Sequence, residues 1–136
     1  MKKNILTALL LFFSVCCFSQ LADYRVVFDM TSKDSVNQQS VIREVGLIKD
    51  GNPDAKVEVV LYGQALGLVT SQSPQAETIE KLLAKKDVSF KVCAIAMKRN
   101  NVDKSQLLPS VEVVPDGIYE IITKQREGWG YIKVAH

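Results

Sequence analysis

Short β-branched apolar runs that alternate with helix-period segments predict an α/β fold, with a parallel five-stranded sheet covered by helices on both faces. Two further observations agree. Turn and cap signals separate most of the segments. A chain of 136 residues, 47% hydrophobic and 24% charged, suits one globular domain with a single core.

The elements follow in order. Tyr24 to Met30 (YRVVFDM) is β-branched and aromatic, the composition of a first strand. Ser35 to Asp50 sets Val41, Ile42, Val45 and Ile48 on one helical face, with Gln38, Arg43, Glu44 and Lys49 opposite. Asp50-Gly51-Asn52-Pro53 is a turn that stops this helix, and Lys56 to Tyr62 (KVEVVLY) reads as the second strand. Ser73-Pro74 opens a second helix that buries Ala76, Ile79, Leu82 and Leu83. Val88 to Ala94 (VSFKVCA) is the third strand, with room to run a residue or two further. Asp103 with Gln106 three residues on marks a short helix to Leu108, and Val111 to Val114 is a short fourth strand. Pro115-Asp116-Gly117 leads into a helix with Ile118, Ile121 and Ile122 on its inner face. Lys124 and Arg126 occupy its last turn and Gly128 ends it. Trp129 to Val134 (WGYIKV) closes the sheet as the fifth strand.

The first residues have a different character. Lys2-Lys3, the apolar run from Ile5 to Phe13 and the small-residue stretch to Gln20 have the order of a secretory signal peptide. Ile5 to Phe18 holds 14 uncharged residues, short of the ~20 that span a bilayer. Cleavage after Ser19 is expected, which makes residues 1–19 the signal and 20–136 one domain. The product is expected to be exported, periplasmic or secreted, with no membrane segment left. Removing Lys2 and Lys3 from 17 basic residues leaves 15 against 15 acidic ones. A neutral domain has no electrostatic footprint for nucleic acid. The single histidine, His136, is too little for a Ser/His/Asp or Cys/His site or for structural zinc. No metal site and no cofactor are expected.

Cysteine and glycine then direct attention to one edge. In a parallel sheet, ligands sit at the carboxyl ends of the strands. Cys93 lies there on the third strand, with Lys98 and Arg99 a few residues on. It is the one cysteine of the mature chain, so it forms no internal disulfide. It is either an accessible thiol, activated by cations and a nearby helix start, or a small apolar core residue between Val92, Ala94 and Ile95. Tyr62-Gly63-Gln64-Ala65-Leu66-Gly67 leaves the second strand on the same edge, so Tyr62 and Gly63 are candidate binding residues beside Cys93. Its glycine spacing fits neither a dinucleotide fingerprint nor a P-loop. Met97 either faces the same pocket or fills the core. Trp129 and Tyr131 form an aromatic surface for a ligand or a packing neighbour. The carboxylate pairs Asp23 with Asp29 and Glu77 with Glu80 read as solvated surface.

The ordered segments resemble a known family. Cys93-Ala94-Ile95-Ala96-Met97, then Leu107-Leu108-Pro109, Val113-Val114-Pro115-Asp116-Gly117 and Gln125-Arg126-Glu127-Gly128-Trp129-Gly130-Tyr131-Ile132 are similar in order and spacing to the DsrE/DsrF-like family of sulfur-relay-related proteins. The similarity is strongest from Lys56 to Val134 and extends to Tyr24. It implies a three-layer α/β/α fold with a mainly parallel sheet, assembled as a homotrimer or homohexamer. It also implies a catalytic cysteine that accepts sulfane sulfur as a persulfide and passes it to a thiol-bearing partner protein. Cys93 is the position that inherits this role, at most a sulfurtransferase-like carrier. In this chain Ile95 and Ala96 stand where relatives often carry polar residues, and Tyr62 where many have histidine. A second function class is therefore kept open: a non-catalytic homo-oligomeric module that binds a small ligand or protein, with Cys93 buried.

Overall fold

The computed structural model describes residues 23–134, so the signal-peptide reading of residues 1–19 lies outside the described residues, as does His136. Five strands form one sheet: β1 (Arg25–Met30), β2 (Lys56–Leu61), β3 (Val88–Cys93), β4 (Glu112–Val114) and β5 (Gly130–Val134). Their order is β4-β3-β2-β1-β5 and every neighbouring pair is parallel. Four helices connect them: α1 (Ser35–Gly51), α2 (Ala76–Leu83), α3 (Ala94–Arg99) and α4 (Gly117–Arg126). Leu66–Val69 and Lys104–Gln106 add single 3₁₀ turns. The chain steps outward from β1 to β4, and α4 then carries it back across the sheet to β5.

Strand periodicity decides the layers. Val26, Phe28, Met30, Val57, Val59, Leu61, Val88, Phe90 and Val92 are all buried in the main core with Val41 and Val45 of α1 and Ile79 and Leu82 of α2. Alternate positions point to the other face, where Val27 and Val60 meet Ile121 of α4. Local chemistry starts the helices where the sequence marks them. The Asp34 carboxylate accepts from the Val36 and Asn37 amides at the start of α1, and Asp116 does the same for Ile118 and Tyr119 at α4. Asp103 and Gln106 form a reciprocal capping box. Gly128, at φ +85°, ends α4 in the left-handed region.

Several expectations are corrected. β3 ends at Cys93, and Ala94 to Arg99 is helical, because this run lacks the turn residues that would separate the two and consists of good helix formers apart from Ile95. Only Ile121 of the expected inner face of α4 is buried. Ile118 and Ile122 are about half exposed, because Gly117 brings the first turn so close to the sheet that the helix rests on Gly117 and Ile121. Lys49, expected on the polar face of α1, is buried. Its Nζ donates to the carbonyls of Pro53 at 2.5 Å and Ala55 at 2.6 Å, closing the loop into β2. Asp29 is not solvated surface either: it is 5% exposed. Its carboxylate accepts from Tyr131 Oη at 2.7 Å and Lys133 Nζ at 2.9 Å, both on the neighbouring β5.

The face beneath α4 carries a second buried charge network. Lys91 Nζ lies 3.0 Å from Glu58 Oε2 and 2.8 Å from Glu120 Oε1. Lys124 approaches both carboxylates at 3.8 Å and covers the Trp129 ring at 4.9 Å. Burial raises the Glu58 carboxyl above the ordinary range, with Lys91 pulling the other way. On Glu120 burial also acts upward, but hydrogen bonding to Lys91 wins and its carboxyl is lowered. This clamp holds α4 on the sheet, and so it holds the wall that α4 contributes to the site.

Candidate functional site

A crevice lies at the carboxyl edge of β2 and β3, between the start of α3 and the start of α4. Cys93 is the last residue of β3, paired in register with Val114 of β4, and it is also the residue that precedes α3. Its side chain points to the α4 face and is 5% exposed. Gly117 permits this arrangement. A Cβ placed there would sit 3.1 Å from Cys93 Cβ, 3.2 Å from Val60 Cγ1 and 3.6 Å from Tyr62 Cδ1. These distances are mostly inside ordinary carbon contact, so only a glycine lets α4 start this near the thiol.

A cavity of about 400 Å³ occupies the crevice. Tyr62 and Gly63 from the end of β2, Cys93, Ile95, Ala96, Arg99 and Asn100 along α3, and Asp116 and Ile118 at the start of α4 line it. Asn100 ties the two loops together, its Nδ2 donating to the carbonyls of Gly63 at 3.0 Å and Ala96 at 2.8 Å. Tyr62 forms the inner wall. Burial, and then the neighbouring Asp29 carboxylate, raise its phenol far above the ordinary value, so the hydroxyl stays neutral and protonated. Lys133 Nζ lies 5.5 Å from the centre of the Tyr62 ring, steadying its outer face.

The structure thus brings together Cys93, Tyr62 and Gly63 as the sequence placed them. Met97 does not join them: it is buried in the main core. Its carbonyl accepts from the Asn100 and Val102 amides and so helps to shape the turn that carries Asn100. The lining roles of Arg99, Asn100, Asp116 and Ile118 were not read from the sequence. For Arg99 and Asn100 the signal was the helix-forming run after Cys93, whose end carries them to the same cavity. Trp129 packs against Val27, Val60 and Ile121, and Tyr131 bonds Asp29, so that pair builds structure around the site. Among the described residues, no group of three or more His, Cys, Asp or Glu side chains could hold a metal ion. No helix among them is long and apolar enough to cross a membrane.

Comparison with known proteins gives the same class of fold and names the family. The model of the DsrE/DsrF-like family matches residues 25–134. The chain belongs to that family, which is associated with sulfur relay. Among solved structures, it is similar to the protein of unknown function MTH1491 from Methanobacterium thermoautotrophicum, at 29% identity and TM-score 0.77, covering 82% of this chain and 99% of that one. It shares its fold with the ychN protein from E. coli (13% identity, TM-score 0.65, 81% of this chain and 98% of that one). The conserved protein of unknown function BT1422 from Bacteroides thetaiotaomicron is similar at 13% identity and TM-score 0.67, over 79% and 92% of the two chains. No curated protein matches.

Proposed function

We propose that this protein is an exported sulfur carrier in which Cys93 takes up sulfane sulfur as a persulfide and passes it to a thiol-bearing partner protein. The observation that carries this reading is the position of Cys93, the one cysteine among the described residues, in the wall of a cavity of small-molecule size. In the loading step the Cys93 thiolate attacks the outer sulfur of a donor persulfide. The donor S–S bond breaks, its thiolate leaves with the electron pair, and the Cys93 S–S bond forms, with charge conserved. Unloading is the same exchange onto the acceptor thiol. Export rests on the signal-like order of residues 1–19. Assembly as a homotrimer or homohexamer is part of the reading. Its support is the row of exposed Ile118, Tyr119 and Ile122 along the outer face of α4, more apolar surface than a lone helix face needs.

The test is mass spectrometry after treatment with a persulfide donor. Wild-type protein gains one sulfur atom on Cys93, and Cys93→Ser gains none while keeping its fold. Equal gain in both variants overturns the reading. A second reading is favoured by the 5% exposure of Cys93 and its apolar neighbours Ile95, Ala96 and Ile118. Here the protein is a non-catalytic homo-oligomeric binding module and Cys93 is a packing residue. A thiol that stays inert to alkylation until the protein is denatured would establish it.

A further inference from the structure

The charges around the Cys93 cavity set the kind of donor it admits, an inference that rests on the sulfur-carrier reading. Two charged side chains line the cavity, Arg99 and Asp116. They are not equivalent. Asp116 is committed to α4: its Oδ1 accepts from the Ile118 amide at 2.9 Å and the Tyr119 amide at 3.4 Å. Its charge therefore sits on the positive end of a ten-residue helix, which offsets it. Arg99 has no such commitment, and no carboxylate among the described residues pairs with it. The other lining groups are neutral: the protonated Tyr62 phenol, the Asn100 amide engaged with two carbonyls, and apolar Ile95, Ala96 and Ile118. Among the described residues the cavity thus presents one cation without a carboxylate partner, and a guanidinium is suited to oxyanions because its fork of donors matches two oxygens.

Size narrows the class further. About 400 Å³ lies at the lower end of small-molecule sites, and Cys93 is set back in it at 5% exposure. A cavity of this size suits a compact donor molecule. We infer that the Cys93 cavity selects small anionic donors of sulfane sulfur, with Arg99 as the residue that determines this specificity. With thiosulfate as the probe, the Cys93 thiolate attacks the outer sulfur and forms the Cys93 S–S bond. The S–S bond of thiosulfate breaks, and sulfite leaves with the electron pair, so three negative charges stand on each side.

Two alkylating reagents of near-equal size test the charge preference directly. Iodoacetate is anionic and iodoacetamide neutral, and each reacts with a thiolate by displacement of iodide. The ratio of their rates on Cys93 is compared with the ratio on N-acetylcysteinamide at low salt. One favourable unit charge a few ångströms away in a water-like dielectric raises that ratio about five-fold. The excess is expected in wild type, is retained in Arg99→Lys, disappears in Arg99→Ala, inverts in Arg99→Glu, and shrinks as salt is added. Sulfur uptake from thiosulfate falls in the same order. An unchanged ratio in Arg99→Ala, with Cys93 still gaining sulfur from a neutral alkyl persulfide, overturns this inference and leaves the carrier reading standing. A native thiol inert to every reagent overturns both.

Discussion

Gly117→Ala is the substitution in which the structure makes opposed effects collide. By helix propensity alone, alanine in place of glycine should stabilise α4 by up to about 1 kcal/mol. The new methyl group, however, would meet Cys93 Cβ at 3.1 Å and Val60 Cγ1 at 3.2 Å, where comfortable carbon contacts begin at about 3.5 Å. Neither neighbour yields easily. Val60 is fully buried in a central strand, and Cys93 is held between the β4 pairing and the start of α3. Either α4 lifts by several tenths of an ångström or the two strands shift, and overpacking of this kind costs about 1–3 kcal/mol. The net expectation is a loss of about 1 kcal/mol, read as a lower midpoint in urea denaturation with an unchanged slope. Because the displaced atoms include Cys93 Cβ, the alkylation rate of the native thiol should change in the same variant. A variant that is more stable than wild type by the helix-propensity amount, with unaltered thiol kinetics, would refute the claim that α4 packs tightly on Cys93.

Further outcomes follow from the two buried charge clusters. Lys91→Met leaves the Glu58 carboxylate buried without its closest cation, and urea denaturation should show a loss of about 3–5 kcal/mol; a loss under 1 kcal/mol would mean that water screens the pair. Glu58 has a folded-state pKa raised by burial. The folded protein therefore holds that proton more tightly than the unfolded chain, and the associated stability is complete below the ordinary carboxyl value and lost as pH rises through the folded value. Glu58→Gln escapes that loss, so its stability relative to wild type should improve as pH rises above the ordinary carboxyl value of about 4; a difference that stays flat or falls contradicts the assignment. Tyr131 has its phenol pushed up to about 12, first by the hydrogen bond to Asp29 and then by burial. In Asp29→Asn its ionisation, followed by tyrosinate absorbance, should move down towards the ordinary value of about 10, and an unmoved titration would argue against the bond.

How much of this was legible beforehand differs by element. β1, β2, α1 and the start of α4 could be read because local chemistry specifies them. Runs such as RVVF and VEVV have no competing period, and Asp34 and Asp116 cap the helices they precede. The end of β3 was harder to read, since apolar Ala94-Ile95-Ala96 continues a strand as readily as it starts a buried helix. Asp29 and Lys49 were misjudged for one reason. Charge alone predicts exposure, whereas each is paired by groups that the local sequence does not indicate: Tyr131 and Lys133 from a strand a hundred residues on, and the carbonyls of the following loop.

The site divides along the same line. Sequence by itself determined the alternation of strands and helices, hence a parallel sheet, and it placed Tyr62, Gly63 and Cys93 at the carboxyl edge, because hydrophobic period and turn residues act over a few neighbouring positions. Tertiary structure alone decided that Asp116 and Ile118 line the cavity from α4, that Arg99 lines it with no carboxylate partner among the described residues, and that Met97 belongs to the core. Those outcomes depend on how closely α4 approaches the sheet, which is set by contacts among Gly117, Cys93 and Val60. No local pattern encodes a distance between residues so far apart in the chain.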